Sequence, residues 1–231
     1  MKKITDFNFK NHSVIIREDY NVPFKNNQIL DGTKIILSLP SINKILNDGG
    51  RVVLISHLCD PKGYDLNFSL KLVFDFLKNI YKDKICFASI ENDPQNFLKE
   101  KIVLLENLRF DEREKKNDRE FAEKISKWGN FYINDSFASI HRNHSSIVTL
   151  PKFFPEKKCI GFLFERELYF ANKILNNSES NFTIMIGGAK VSDKIAPLKS
   201  LINLSDYILL GGIVANTFLK SLGFDIGDSK F

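Results

Sequence analysis

The sequence predicts an α/β protein in which a parallel sheet is flanked by helices on both faces, as in three-layer, Rossmann-like folds. The first observation is a series of short apolar segments that are continuous rather than alternating, which indicates strands buried on both faces. The second is the longer stretches between them, which carry apolar residues at three-to-four spacing, as amphipathic helices do. Strands that alternate with helices favour βαβ units and therefore a parallel sheet.

Strands are predicted where an apolar segment is bounded by polar residues or glycine. These segments are SVII (13–16), RVVLI (51–55), KICFA (84–88), KIVLL (101–105), FYI (131–133), FTIMI (182–186) and YILL (207–210). Helices are predicted over IILSLPSINKILND (35–48), SLKLVFDFLKNIY (69–81), REFAEKISKW (119–128), FERELYFANKIL (164–175) and IAPLKSLINL (195–204).

A domain boundary is predicted between residues 150 and 180. LPKFFPEKK (150–158) is punctuated by prolines, and NNSESN (176–181) is a polar break before the next strand. We therefore expect a complete first lobe over 1–160, a connecting helix over 161–179, and the opening part of a second α/β lobe over 180–231.

Composition indicates an ordinary soluble globular protein of 231 residues, with 43% hydrophobic and 26% charged residues. The net charge of +5 suits an anionic small ligand as well as nucleic acid. Cys59, Cys86 and Cys159 are widely spaced, which argues against a disulfide framework or a zinc site and favours a reducing cytoplasm. Since no apolar stretch approaches the roughly 20 residues of a membrane span, we expect neither export nor membrane insertion.

Polar residues follow four of the predicted strands, in REDYNVP (17–23), SHLCDPKG (56–63), ENLRF (106–110) and NDSFASIHRNHSS (134–146). Ligands of open parallel sheets bind beyond the carboxyl ends of the strands. We therefore expect a rim that contains His57, Arg109, His141 and Arg142, with Asp19 and Asn21 beside them to bind hydroxyl groups.

Such a rim suits a small phosphorylated, carboxylated ligand, because arginine binds these groups through two parallel hydrogen bonds. Taken singly, each residue has an ordinary explanation, such as a solvated surface charge, a turn, or an incidental His141-x-x-His144 pair. Agreement among four strand ends favours the site.

GGAKVSDKI (187–195) lies where a predicted strand meets a helix that should begin near Val191. It lacks the spacing of a Walker motif, but a helix N-terminus attracts anions, and Lys190 and Lys194 add positive charge. LLGGIVANTF (209–218) repeats the glycine turn at Gly211 and Gly212. The two turns together predict a nucleotide-binding surface.

Six of these motifs, in this order, resemble the phosphoglycerate kinase family: REDYNVP, SHLCDPKG, LLENLRF, NDSFASIHRNHSS, GGAKVSDKI and LLGGIVANTF. The resemblance implies a two-lobed cytoplasmic kinase of glycolysis. It would transfer a phosphoryl group between 1,3-bisphosphoglycerate and ADP, giving 3-phosphoglycerate and ATP.

The resemblance also implies roles for residues. Asp19, Asn21, Lys34, His57, Asp60, Arg109 and Arg142 stand at substrate-binding positions. Lys34 and Lys190 stand at catalytic positions, and Gly187, Gly188, Lys190, Lys194, Gly211 and Gly212 at nucleotide-binding positions. Magnesium would be held through the nucleotide, with its protein contacts in family elements that have no counterpart in this sequence, so no metal ligand is assigned.

The sequence departs from the family pattern in ways that bear on activity. Lys34 replaces an arginine and loses its planar fork, Cys59 and Asp60 replace Gly-Arg, and Ile213 replaces a glycine. The hypotheses are therefore an active kinase or a truncated derivative, a phosphoglycerate-binding remnant without transfer, and a basic nucleic-acid-binding protein.

Of these hypotheses, the nucleic-acid-binding protein is the least favoured, because no basic stripe is present. We accordingly expect a monomer whose partners are phosphoglycerates and ADP or ATP, with neither nucleic acid nor membrane among them. We expect a complementary C-terminal fragment as a further partner if the second lobe is encoded separately.

Overall fold

A computed structural model describes residues 1–176 and 181–231, so most of the predicted polar break falls on residues 177–180, outside the described part. The chain divides into two compact units, Met1–Leu168 and Tyr169–Phe231. The predicted lobe boundaries, and the functions given to each lobe, stay predictions.

The first unit is built on a parallel six-stranded sheet, which confirms the predicted fold class. Its elements are β1 (Ser13–Arg17), β2 (Phe24–Lys25), β3 (Gln28–Ile29), α1 (Thr33–Asn47), β4 (Arg51–Ile55), α2 (Lys71–Tyr81), β5 (Ile85–Ala88), β6 (Ile102–Leu105), α3 (Glu112–Lys115), α4 (Arg119–Ser126), β7 (Phe131–Asn134) and β8 (Lys158–Ile160). Helix α5 (Phe162–Leu175) follows β8 directly. The strand order is β5-β6-β4-β1-β7-β8.

Helices cover both faces of this sheet, and the central strands divide their side chains between two cores. Ile16 of β1 packs in a cluster with Ile42 of α1 and Leu77 of α2. The preceding residue, Ile15, packs in a second cluster with Phe121 of α4. Successive side chains of a strand point to opposite faces, so a continuous apolar strand fills both cores. This is the three-layer arrangement that the apolar segments predict.

Strand β8, the β2–β3 hairpin and the four-residue helix α3 of the first unit are absent from the sequence-based prediction. Strand β8 is an edge strand of three residues in which Cys159 pairs with Ile133 of β7. It is too short, and too close to the proline-rich segment, to stand out as an apolar run. The β2–β3 hairpin turns at Asn26 and Asn27, both at positive φ, as a two-residue hairpin turn requires.

The register of the sheet brings the functional loops to one edge. Arg17 at the end of β1 pairs with Ile55 at the end of β4 and with Asn134 at the end of β7. Leu54 of β4 pairs with Leu104, one residue before the end of β6. The loops after these four strands therefore leave the same, carboxyl edge of the sheet.

The described part of the second unit begins within α5 and contains two parallel strands and two further α-helices. These are β9 (Thr183–Ile186), α6 (Ser192–Leu201), β10 (Tyr207–Leu210) and α7 (Gly212–Ser221). Strands β9 and β10 pair in register from Thr183 with Tyr207 to Ile186 with Leu210. The predicted helix start near Val191 is confirmed, since α6 begins at the next residue. Within the described ranges, none of the helices is both long and apolar enough to cross a membrane.

Candidate functional site

A buried arginine, Arg17, holds His57 at the carboxyl edge of the first sheet. Arg17 Nη2 donates to His57 Nδ1 at 2.8 Å, and Arg17 Nε donates to Ser146 Oγ at 3.0 Å. A guanidinium can only donate, so His57 Nδ1 accepts and the neutral ring carries its proton on Nε2. Burial, and then the charges of Arg17, Arg109 and Arg142, lower the pKa of His57 far below its usual value. His57 is thus a neutral group among cations.

Arg109 lies in a short turn after β6 and is 5% exposed. The Asn107 side chain caps this turn by accepting from Arg109 N at 3.1 Å, and Asn107 Nδ2 donates to the Leu58 carbonyl at 2.9 Å. Arg109 Nη1 donates to the Cys59 carbonyl at 2.6 Å.

Arg109 Nε and Nη2 are buried without a hydrogen-bond partner among the described residues. A buried donor without a partner costs about 1–3 kcal/mol, and more when it is charged. An anion that contacts Nε and Nη2 of this guanidinium would remove this cost.

Arg142 lies close to this cluster, on the loop after β7. Its charge, with those of Arg109 and Arg17, helps to lower the pKa of His144 to about 4, although burial of His144 is the larger cause. The structure therefore brings His57, Arg109 and Arg142 together, as the strand-end positions predict. His141 is exposed, and no contact with this group involves its side chain in the described part of the chain.

Asp19, Asn21 and Lys34 form a second group on the same edge. Lys34 Nζ donates to Asp19 Oδ2 at 2.7 Å and to the Asn21 carbonyl at 3.2 Å. Asn21 Oδ1 accepts from Cys59 N at 2.9 Å, which ties this group to the loop after β4. Asp19 and Asn21 are thereby held beside the loop that carries His57.

Asp60 lies between two cations on the loop after β4. Its Oδ1 accepts a hydrogen bond from Lys115 Nζ at 3.0 Å and lies 3.8 Å from Arg109 Nη1. The hydrogen bond from Lys115 is the main cause that lowers the pKa of Asp60. A carboxylate thus occupies part of the space in front of Arg109.

Sequence reasoning missed the support behind Arg17. Glu114 is buried; its Oε2 accepts from Ser146 N at 2.9 Å and its Oε1 from Ser146 Oγ at 2.5 Å. Ser146 in turn accepts from Arg17, so Glu114 orients Arg17 through one hydroxyl group. Glu114 belongs to the charged run EREKK, which reads as a solvated surface, and no local signal distinguishes it. Arg17 ends a buried strand, a position at which charge is unusual and could have been noticed.

The glycine turns of the second unit lie next to each other. Gly211 N donates to the Ile186 carbonyl at 2.9 Å, which joins the end of β9 to the start of the second turn. Gly188 has φ 125° and Gly212 has φ 57°, conformations that favour glycine. A Cβ on Gly188 would lie 3.7 Å from Lys194 Cε, so Lys194 reaches back over the first turn.

Lys190 and Lys194 are both exposed. The predicted nucleotide-binding residues of the two turns thus lie together, while Lys190 stands in solvent. Among residues 1–176 and 181–231, no group of His, Cys, Asp and Glu side chains is placed to hold a metal ion.

Comparisons with known proteins agree with this geometry. The sequence model of the phosphoglycerate kinase family matches residues 4–231. The chain belongs to the phosphoglycerate kinase family. The phosphoglycerate kinase of Thermosipho africanus is 40% identical over 238 residues, and that of Akkermansia muciniphila is 41% identical over 239 residues. These alignments cover 99% and 100% of this chain but 59% of each relative, so the chain spans about 59% of the length of these phosphoglycerate kinases.

Solved structures of phosphoglycerate kinases are similar to the chain as well. The enzyme from Pyrococcus horikoshii has a TM-score of 0.87 at 29% identity, covering 98% of this chain and 59% of that one. The enzyme from Coxiella burnetii has a TM-score of 0.82 at 31% identity, covering 99% and 58%.

The departures from the family pattern have structural counterparts. Cys59 has φ 57°, a conformation that suits the glycine of the family pattern at this position. Lys34 and Asp60, which replace arginines, are both paired within the chain, with Asp19 and Lys115. Ile213 is half-buried in the first turn of α7. Both departing residues at this edge of the sheet are therefore held by ion pairs within the chain.

Proposed function

We propose that the first unit binds 3-phosphoglycerate and 1,3-bisphosphoglycerate, and that the second binds ADP and ATP, for the phosphoglycerate kinase reaction of glycolysis in the cytoplasm. The observation that carries the proposal is Arg109, buried with two free donors beside neutral His57 and near Arg142. Three groups that can hold a phosphate oxygen at one sheet edge suit a phosphorylated ligand better than a flat nucleic-acid surface.

In the proposed reaction, an oxygen of the ADP β-phosphate attacks the acyl phosphorus of 1,3-bisphosphoglycerate. The bond between that phosphorus and the carboxyl oxygen breaks, and 3-phosphoglycerate leaves as a carboxylate. No general base is needed, so catalysis consists of positioning and charge neutralisation. This agrees with a site that is rich in cations and holds His57 neutral.

We propose that the residues of this chain divide the work as follows. Arg109, Arg142 and the Nε2–H of His57 hold the phosphate of the glycerate, while Asp19 and Asn21 orient its hydroxyl and carboxylate end. Lys34 and Lys190 neutralise the phosphoryl group in transfer. Lys194 and the backbone N–H groups of the two glycine turns hold nucleotide phosphates.

Magnesium accompanies nucleotide phosphates in kinases of this kind and neutralises their charge. Among residues 1–176 and 181–231, no group of three or more His, Cys, Asp and Glu side chains is placed to hold a metal ion, so the proposal assigns magnesium no protein ligand in this chain. No role of a side chain in the proposal depends on the ion.

A second candidate function is phosphoglycerate binding without transfer. Asp60 favours it, because this carboxylate stands beside Arg109 and opposes a bound anion. Two unit charges about 8 Å apart interact by roughly 2 kcal/mol at an effective dielectric near 20, before screening. This repulsion would weaken the binding of the substrate without abolishing it.

Isothermal titration calorimetry tests the binding part of the proposal. Titration with 3-phosphoglycerate should give saturable binding that Arg109→Met removes and Arg119→Met, at a surface arginine of α4, preserves. A short RNA titrated in parallel should release no heat. Equal binding by wild type and Arg109→Met, or binding of the RNA alone, would contradict the proposal.

A coupled ATP-forming assay tests the transfer part, and it also tests the proposed partner. The chain is assayed alone and then mixed with a separately expressed polypeptide that corresponds to the remaining part of a relative. Turnover on mixing would support a kinase assembled from two chains. Binding without turnover in either assay would favour the second candidate function.

A further inference from the structure

We propose that Lys115 is a phosphate-binding residue of this chain, and that Asp60 occupies the position of the phosphate while the ligand is absent. The inference rests on the proposed function, in that the anion is taken to be the phosphate of the ligand held by Arg109. It adds a residue that the family motifs do not include, since Lys115 lies in the charged run after LLENLRF.

Arg109 lines a basic cavity. The cavity has a volume of about 420 Å³ and is lined by Lys62, Arg109, Lys115 and Lys116, with Glu112 as the only carboxylate among its lining residues. Four cations against one carboxylate make this a favourable place for an anion. Glu112 pairs with Lys116 at 2.8 Å. Of the other three cations, Arg109 and Lys115 lie within 4 Å of Asp60.

The Asp60 carboxylate lies between these two cations, where a bound anionic ligand would also lie. One of its oxygens, Oδ1, lies 3.0 Å from Lys115 Nζ and 3.8 Å from Arg109 Nη1. The latter distance is longer than a hydrogen bond, and Arg109 Nε and Nη2 stay without a partner. The Asp60 carboxylate therefore forms a hydrogen bond with Lys115 but none with Arg109.

A phosphate dianion would fill the same position better. It carries about twice the charge of a carboxylate and three acceptor oxygens, so it would bind Lys115 and interact more strongly than Asp60 with the guanidinium of Arg109. The Asp60 side chain is 67% exposed, so it can turn into solvent when the phosphate enters. The exchange replaces a weak internal ion pair by charge-assisted hydrogen bonds to a buried guanidinium.

The position of Lys115 is set by its neighbour in the chain. Glu114 is buried and bound to Ser146 by two hydrogen bonds, which anchors α3 at the edge of the site. Lys115 follows directly and directs its ammonium toward Asp60 and the cavity. The same anchor thus orients Arg17 through Ser146 and places Lys115.

The alternative is that Lys115 only neutralises Asp60 and never contacts the ligand. A double-mutant cycle separates the two roles. Affinity for 3-phosphoglycerate and for inorganic phosphate is measured by calorimetry for wild type, Asp60→Asn, Lys115→Gln and the double variant. Lys124→Gln is the control, because Lys124 pairs with Glu91 away from the cavity and its side chain is 33% exposed, against 36% for Lys115.

If Lys115 binds phosphate, Lys115→Gln weakens binding about tenfold in the wild-type background and by a similar factor in the Asp60→Asn background. Asp60→Asn alone tightens binding, and Lys124→Gln changes it less than twofold. If Lys115 only neutralises Asp60, Lys115→Gln has no effect once Asp60 is asparagine, and the proposal is overturned. Matching urea unfolding midpoints confirm that the variants are folded.

The two probes separate failure of this inference from failure of the proposed function. If inorganic phosphate binds in a way that depends on Lys115 while 3-phosphoglycerate does not bind, the phosphate-binding role of Lys115 is supported and the proposed ligand is overturned. Binding of 3-phosphoglycerate that depends on Arg109 and is indifferent to Lys115 in the Asp60→Asn background would overturn Lys115 alone. Absence of binding by either probe would overturn both.

Discussion

The two units carry polar rims at the ends of parallel strands, but they hold the rim side chains differently. In the first unit, Arg109 is buried and fixed by the Cys59 carbonyl, and Arg17 is fixed by its bonds to His57 and Ser146. In the second, Lys190 and Lys194 are exposed. Hydrogen bonds thus hold the two buried arginines of the first unit, whereas the two lysines of the second unit lie at the surface.

The strands beneath these rims differ in the same way. In β1, Ile15 and Ile16 are fully buried in opposite cores, whereas Met185 of β9 is 80% exposed. Both strands come from continuous apolar runs, which are typical of sheets covered on both faces. An apolar run therefore predicts a strand in either unit, but it does not by itself predict that both faces of the strand are buried.

The difference in burial between β1 and β9 should have its largest effect on stability. Ile16→Ala should lower the free energy of unfolding by about 2–5 kcal/mol, since it opens a cavity in a packed core. The matched change Met185→Ala should lower it by less than about 0.5 kcal/mol, as exposed substitutions usually do. Urea denaturation measures both. Equal losses would show that β9 is as well packed as β1.

A buried carboxyl offers the next effect, this time stabilising. Glu18 is fully buried, and neither of its carboxyl oxygens has a partner among the described residues. Burial, followed by the charge of Asp135, raises the pKa of Glu18 well above its usual value. Replacement by an apolar side chain of similar size, Glu18→Met, should raise the free energy of unfolding by about 1–3 kcal/mol at pH 7.

The pH dependence of this gain follows from the raised pKa. A group with a raised pKa favours the folded state below its unfolded pKa, and this contribution is lost as pH rises through the folded pKa. The gain from Glu18→Met should therefore grow between pH 5 and pH 8 in urea denaturation. Glu18→Gln is the control: it removes the titration but keeps a buried polar group, so its stability relative to wild type should rise by the same amount over this pH range, from a lower starting value than that of Glu18→Met. A gain that is the same at every pH would contradict the assigned protonation.

Charge reversal at Asp60 should have a smaller effect, on binding rather than stability. Asp60→Arg should tighten the binding of 3-phosphoglycerate several-fold, with a larger gain at low ionic strength because part of the effect is Coulombic. Calorimetry at two salt concentrations measures this. Unchanged affinity at both would show that this position does not face the ligand.

His57 should show no change where an ordinary histidine titrates. Because its pKa is lowered by burial and by three arginines, its ring resonances should stay constant between pH 8 and pH 5 in an NMR titration. In the unfolded chain the same ring takes up a proton near pH 6.5, so neutral His57 makes the fold less stable as pH falls below that value. A titration of His57 near pH 6.5 would contradict the buried, cationic rim.

The parts of the fold that the sequence predicts are those with local signals. Each predicted apolar run forms a strand, and in β1, β4 and β6 the uninterrupted run is buried on both faces. Strand β8 and helix α3 escape prediction because three or four residues carry no periodicity. Asn26 and Asn27 form the turn of the β2–β3 hairpin, and an asparagine pair of this kind favours such a turn, although no hairpin is predicted here.

In the site, too, the predictable residues are those with a local sequence signal. Positions after strands identify His57, Arg109 and Arg142, because the end of a strand is a local feature. The support behind them is not local, since Ser146 lies 129 residues from Arg17 and 32 from Glu114. Only the fold brings these three together. The pairing of Asp60 with Lys115, 55 residues apart, is unpredictable for the same reason.

The central claim is that the unpartnered guanidinium of Arg109 binds the phosphate of a phosphoglycerate. Its most direct test is the side-chain Nε–H resonance of Arg109 in an NMR titration with 3-phosphoglycerate, assigned by its loss in Arg109→Met. The resonance should shift downfield and saturate as the donor gains an anionic acceptor, while the Arg119 resonance stays in place. An Arg109 resonance that does not move at saturating 3-phosphoglycerate would contradict the binding of phosphate by Arg109.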